Sequence, residues 1–161
     1  MVFVILGNQN FQFNRLLDKI ESMIKSGFIK EDVIAQIGHT SYKSSHMQTI
    51  DFLSKEEFNM HIEKATFIIS HAGTGSLFSS IKRKKKVLAA ARLEKHREHI
   101  DDHQKEILEA FVNEKLILGL NENLNDFEPQ LLRISNFTPK EFKSNNAEFN
   151  SDLMRIIEEI S

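Results

Sequence analysis

The chain has no cysteine, which excludes disulfides, thiolate catalysis and cysteine-ligated metal, although that absence does not fix a compartment. No apolar run approaches the length needed to cross a bilayer. The opening Val2-Phe3-Val4-Ile5-Leu6 run lacks both the basic flank and the length of a secretory signal, so the expected location is the cytoplasm. Neither sign of charge dominates: a net charge of −2 gives no bulk attraction to nucleic acid or to a membrane, and nucleic acid is not an expected partner. Proline is scarce, and Pro129 and Pro139 both fall in the polar stretch beyond Leu120, which they are expected to break. Internal repeats and low-complexity segments are missing as well. What remains is 161 residues, 40% of them hydrophobic, enough for one core and about one ordinary domain. Residues 1–161 are therefore taken as a single domain in which 121–161 form a polar segment and a closing C-terminal helix.

Apolar patterning predicts regular alternation. Strand Val2 to Leu6 leads to a helix with Leu16, Leu17, Ile20, Met23 and Ile24 on one face, then strand Val33 to Ile37 and a short strand near Thr49 to Phe52. Ser54, with Glu57 three residues later, has the pattern of a capping box opening a helix through Phe58 and Ile62. Strand Phe67 to Ser70, a turn and helix, strand Lys86 to Ala90, a helix from about Asp101 to Asn113 and strand Leu116 to Leu118 follow. Alternation of this kind predicts an α/β fold, a parallel sheet with helices on both faces. The final helix carries a stripe of Phe149, Leu153, Ile156, Ile157 and Ile160, suited either to closing the core or to docking on a partner.

The densest chemical signal is Thr66-Phe67-Ile68-Ile69-Ser70-His71-Ala72-Gly73-Thr74-Gly75-Ser76-Leu77-Phe78. A strand pattern runs into a turn rich in glycine and hydroxyl groups, and then into a helix. Unpaired amides at such a helix start, with its partial positive charge, suit a diphosphate. The turn alone is also compatible with a tight strand-to-helix connection without a ligand; it has neither the third glycine of a dinucleotide fingerprint nor the Gly-Lys-Ser/Thr of a P-loop. A second segment, Arg92 to Gln104, follows the apolar Val87 to Ala91 run. On the helix it opens, Ile100, Ile107, Leu108 and Phe111 share a face that His103 and Gln104 interrupt, and polar groups there are expected to line a cavity where a ligand completes their hydrogen bonds.

Three further features have competing readings. His96, His99 and His103 lie near acids at spacings that can bind zinc, but Asp101 and Asp102 equally suit a helix start, and no metal is expected. Lys82-Arg83-Lys84-Lys85-Lys86 is either a solvated loop or a contact for anionic lipid headgroups. His39 and His46, in the polar segment after the second strand, sit near the cleft or simply on the surface.

The order His71-Ala72-Gly73-Thr74-Gly75-Ser76, an apolar strand, then Glu98-His99-Ile100-Asp101-Asp102-His103-Gln104, resembles the C-terminal, donor-binding domain of family 28 glycosyltransferases. Within that family it is most similar to the small, separately encoded PssE-type subunits of bacterial polysaccharide synthesis, relatives of the catalytic subunit of the dolichol-linked N-acetylglucosaminyltransferase. Val2 to Asn10 and Phe13 to Leu17 match the family's first strand, loop and helix. The resemblance implies a Rossmann-like half-domain of a GT-B enzyme, UDP-sugar as co-substrate, no cofactor, and inversion at the transferred carbon. It also implies that the other half is a membrane-associated, PssD-like subunit holding a lipid-linked saccharide for capsule or exopolysaccharide, which would recruit this chain to the inner face of the plasma membrane. Combined with the residue types, it gives His71 a catalytic role at the leaving diphosphate. Gly73, Thr74, Gly75 and Ser76 would help there, Gly7, Asn8 and Gln9 would face the cleft, and Asp102, His103 and Gln104 would take the donor sugar's hydroxyls. Two departures stand out: Ser79 and Ser80 lie where many relatives carry a ribose-binding glutamate, and Asn8 replaces a threonine. Alternatives are a non-catalytic nucleotide-sugar-binding or scaffolding subunit that activates a partner enzyme, and an unrelated flavodoxin-like binding domain.

Overall fold

The computed structural model describes residues 1–160, with side chains through residue 156. Six parallel strands form one sheet in the order β3-β2-β1-β4-β5-β6: β1 Val2–Ile5, β2 Val33–Gln36, β3 Gln48–Ile50, β4 Phe67–His71, β5 Val87–Ala90 and β6 Leu118–Gly119. Helices α1 Asn14–Lys25, α2 Lys55–Lys64, α3 Thr74–Ile81, α4 His103–Asn113, α5 Phe127–Ile134 and α6 Ala147–Ile160 cover both faces. Strand residues alternate between two cores, as the pleat requires. Val2, Val4, Ile69 and Leu88 pack with Leu16, Leu17 and Ile20 of α1 and with Phe127 and Leu131 of α5. Phe3, Ile5, Ile68 and Val87 pack with α2, α3, α4 and α6. This is the parallel sheet with helices on both faces that the alternation predicts, Rossmann-like as the resemblance implies.

Ser54 makes the full capping box with Glu57 at the start of α2. Elsewhere the boundaries depart from expectation for identifiable reasons. Pro129 does not break the chain but sits in the first turn of α5, where no intrahelical N–H is needed. Helix α4 begins at His103, because the Asp101 carboxylate accepts the His103 N–H (3.0 Å) and closes a turn there. Ile100 therefore lies outside the helix and is 70% exposed, while Ile107 and Phe111 carry the buried face. The last strand begins two residues later than predicted, after Lys115 turns the chain in the left-handed region.

The basic run precedes β5 and so lies at the amino ends of the strands. Lys85 donates to the carbonyls of Glu63 (2.6 Å) and Ala65 (3.0 Å), and Lys86 to that of Ser135 (2.6 Å), so both neutralise exposed carbonyls at the ends of α2 and α5. Among the described residues no helix is long and apolar enough to cross a membrane.

Helix α6 closes the domain's own core. Phe149, Leu153 and Ile156 are buried, and Phe149 packs edge-on against Phe111 at 5.2 Å; the side chains of Ile157 and Ile160, the rest of that stripe, lie outside the described residues. Leu153→Ala should thus destabilise the isolated protein by about 2–4 kcal/mol, as a buried leucine truncation does. Denaturant unfolding measures this, and an unchanged midpoint would mean that the α6 face is not packed in solution.

Candidate functional site

Sheet order places the site. Strands β1 and β4 are neighbours, yet the chain leaving β1 enters α1 on one face and the chain leaving β4 enters α3 on the other. Their carboxyl ends therefore part and leave a crevice, the usual ligand position in open α/β sheets. A cavity of about 560 Å³ opens there, within the range of small-molecule sites. Gly7, Asn8 and Gln9 line it from the β1 loop, and Gly73, Thr74, Gly75 and Ser76 from the start of α3, with His71 and Gln104 between them.

His71 ends β4 and is only 6% exposed. It is held between two glycines: a Cβ on Gly7, which has φ +78°, would lie 2.6 Å from His71 Nε2, and one on Gly73 would lie 2.2 Å from Cε1. Its tautomer follows from Gln104. The Gln104 Oε1 accepts the backbone N–H groups of Ala72 (3.2 Å) and Arg92 (3.1 Å), which fixes the amide so that Nε2 donates to His71 Nδ1 (3.2 Å). With Nδ1 accepting, the ring proton sits on Nε2, which donates to Ser76 Oγ (3.1 Å). That frees the Ser76 hydroxyl proton for a group in the cavity. Burial, and then the positive charge of Arg92, push the imidazole down to about 3, so the ring is neutral. Gln104 thus has its oxygen satisfied by the protein itself, contrary to the expectation that a ligand completes its bonds.

The start of α3 adds donors. Gly73 at its N-cap makes no side-chain cap, and the first intrahelical bond runs from Leu77 N–H to Gly73 O (3.1 Å), leaving the amides of Thr74, Gly75 and Ser76 without helical partners. Among the described residues no aspartate or glutamate lines the cavity, and Lys55 is the one formally charged lining residue. The result is a concave site of neutral and positive donors, complementary to an anion.

The structure assembles the residues expected from the β1 loop and the glycine turn, together with Gln104. Asp102 and His103 are absent from the lining: the Asp102 carboxylate accepts the Glu94 N–H (2.9 Å), and His103 lies near the carboxylates of Asp101 and Glu106. Among the described residues no three histidine, aspartate or glutamate side chains group as metal ligands. His39 packs on Phe52 and His46 pairs with Glu21 (2.8 Å); neither lines the cavity. Sequence reasoning missed Gln36, Lys55 and the wall of Ile5, Leu53 and Phe58. Gln36 had a signal, an amide at the carboxyl end of an apolar strand; its Nε2 donates to the carbonyls of Gly7 (3.2 Å) and Asp51 (3.0 Å) and braces the β1 loop. Ser79 does line the cavity.

The depressed basicity of His71 has a sign that can be measured. As pH falls from the ordinary histidine value of 6.5 toward 3, the unfolded chain binds a proton here that the folded chain does not, so this residue's contribution lowers stability on acidification and has no such effect above 6.5. Ring 15N spectra at pH 5 should show His71 neutral with its proton on Nε2. A midpoint near 6.5 would overturn this account of its burial.

The fold recurs in known proteins. The chain is similar to the solution structure of ALG13, with 18% identity, 92% of each chain covered and a TM-score of 0.59. It is also similar to the glycosyltransferase of kitacinnamycin (10% identity, TM-score 0.56) and to SnogD from Streptomyces nogalater (12% identity, TM-score 0.50). It is covered over 98% and 99% of its length in those two, but spans only 38% and 39% of theirs, so its fold corresponds to part of each. No curated protein sequence gives a significant match. Residues 1–160 match the glycosyltransferase family 28 C-terminal domain, and the chain belongs to that family.

Proposed function

We propose that this chain is the donor-binding, catalytic subunit of a heteromeric, inverting glycosyltransferase. It takes a hexose or hexose derivative from a UDP-sugar and delivers it to a lipid-linked saccharide held by a membrane-associated, PssD-like partner in capsule or exopolysaccharide synthesis. The observation that carries this reading is the relay from Gln104 through His71 to Ser76, which ends at a cavity rich in donors and, among the described residues, free of carboxylates. Family membership supports the transferase class, and the chain's span of about two-fifths of two glycosyltransferases supports a division of labour with a partner.

In the reaction, an acceptor hydroxyl oxygen attacks the anomeric carbon, the bond from that carbon to the diphosphate oxygen breaks, and its electron pair leaves on the diphosphate. Negative charge grows there through an oxocarbenium-like state. The amides of Thr74 to Ser76 and the Ser76 hydroxyl meet that charge, and His71 holds Ser76 in the donating orientation, so the residues themselves do the work otherwise given to a metal. Among the described residues this cavity offers no carboxylate, and the acceptor proton is assigned to a base on the partner. Asn8 and Gln9 face the donor, while Asp102 and His103 meet it only if their turn closes over the cavity. The same absence of a carboxylate, with Ser79 in place of a glutamate, favours a second reading: a non-catalytic nucleotide-sugar-binding subunit that activates its partner.

Calorimetric titration with UDP and a panel of UDP-sugars tests the site. The wild type should bind UDP, and His71→Ala should lose binding and, in the assembled complex, nearly all transfer. Ser76→Ala should weaken UDP roughly 10- to 100-fold, the value of a hydrogen bond to a charged group. Full transfer by the complex carrying His71→Ala would leave the non-catalytic reading. Gly75→Ala separates ligand from fold: its Cβ meets no protein atom within 4 Å, and alanine favours a helix by about 1 kcal/mol over glycine. Thermal stability should hold or rise while UDP affinity drops, and unchanged affinity would remove the α3 amides from the site.

A further inference from the structure

Arg92 is almost wholly enclosed, 1% exposed, two residues past the end of β5. Its Nη2 donates to the Leu6 carbonyl (2.5 Å) and its Nη1 to the carbonyls of Gln12 (3.2 Å) and Phe11 (3.4 Å), so the guanidinium bridges the two ends of the turn that carries Gly7, Asn8 and Gln9. The Phe13 ring covers it, 4.9 Å from Cζ to the centroid. Its own backbone N–H is accepted by the oxygen of Gln104, the residue whose Nε2 orients His71, which places it beside the imidazole.

The charge around it is unbalanced. The nearby buried carboxylate, Glu98, is taken by Arg15 through Nε (2.8 Å) and Nη2 (3.0 Å) and by the Leu93 N–H (3.0 Å). Among the described residues no carboxylate lies within ion-pair distance of Arg92, and its Nε is buried without a partner. One carboxylate thus faces two guanidinium groups, beside a cavity that no acid lines among the described residues. A buried cation without a contacting counterion is costly, and desolvation pushes Arg92 down to about 10. An anion in the adjoining cavity offsets that cost.

We propose that Arg92 is a positioning residue for the donor diphosphate: its buried guanidinium fixes both ends of the Gly7–Gln9 turn and supplies the positive charge that the ligand's anion balances. The proposal rests on the donor-binding reading of the cavity. A residue that merely held the turn would affect charged and uncharged ligands alike, whereas a missing counterion discriminates by ligand charge.

The test compares UDP, inorganic pyrophosphate and uridine on the wild type, Arg92→Met and Arg92→Lys, by calorimetry or, for weak ligands, NMR shift titration. The ratio of UDP to uridine affinity should fall about ten-fold or more in Arg92→Met, the scale of a desolvated charge contact, and change less than about three-fold in Arg92→Lys, which keeps the charge. An unchanged ratio in a folded Arg92→Met protein would overturn the proposal and leave the donor site standing. If that variant does not fold, the wild type still decides: the side-chain N–H resonances of the buried Arg92 should shift with UDP and pyrophosphate but not with uridine, and a bound UDP that leaves them unmoved overturns it. Wild-type protein that binds neither UDP nor pyrophosphate brings down the donor reading and this one together.

Discussion

Everything at the carboxyl edge of the sheet follows from the reversal between β1 and β4, whose loops leave for opposite faces. Backbone groups that would otherwise be covered by a shared helix layer are left at a crevice. Only a small, rigid arrangement fits there: the imidazole of His71 occupies the space that side chains at Gly7 and Gly73 would need. A β1 loop with a substituted Gly7 would have to displace the ring, which would break the bond to Ser76. Strand order, glycine placement and hydrogen-bond direction are thus one constraint seen at three scales.

Charge around this crevice is distributed with the same economy. His71 is neutral because burial and Arg92 oppose its protonation, yet it still donates through Nε2 because Gln104 occupies Nδ1. Formal positive charge is instead held behind the lining by Arg92 and at its rim by Lys55. A neutral relay backed by a fixed cation can stabilise a developing anion without first giving up a proton, and it does so where solvent screening is weak.

Much of this was legible in the chain. Alternating apolar periods specified the parallel sheet, and the Ser54–Glu57 box marked α2. The glycine turn pointed to the cavity because glycine and a helix start together imply close backbone approach. Less accessible was anything decided by contacts distant in sequence. Gln104 looked like a ligand-binding amide because its two backbone partners, Ala72 and Arg92, are set only by packing of α4 against the loops after β4 and β5. Arg92 itself carried no local sign of burial, since the carbonyls that hold it are about 80 residues away in sequence. Pro129 reads as a breaker from its polar surroundings, although its ring fits a first turn whose N–H groups are free in any helix.

In the proposed reaction the same contacts bear on where the acceptor's proton can go. A general base at neutral pH needs a free lone pair on a group that gains from protonation. His71 has neither: its one acceptor nitrogen is occupied by Gln104, and its basicity lies far below neutral. Two carboxylates of the loop after β5 are spent elsewhere, Glu98 on Arg15 and Leu93, Asp102 on the Glu94 N–H, and neither lines the cavity. Lys55, exposed and cationic, has no lone pair to offer. A site so consistently arranged to hold negative charge is poorly arranged to create a nucleophile, because any base strong enough to take the proton would weaken the field that stabilises the leaving group. Separating the two tasks onto facing surfaces would resolve that conflict, and under the proposed function it gives a physical reason for a donor half to work against a second half across an open cleft.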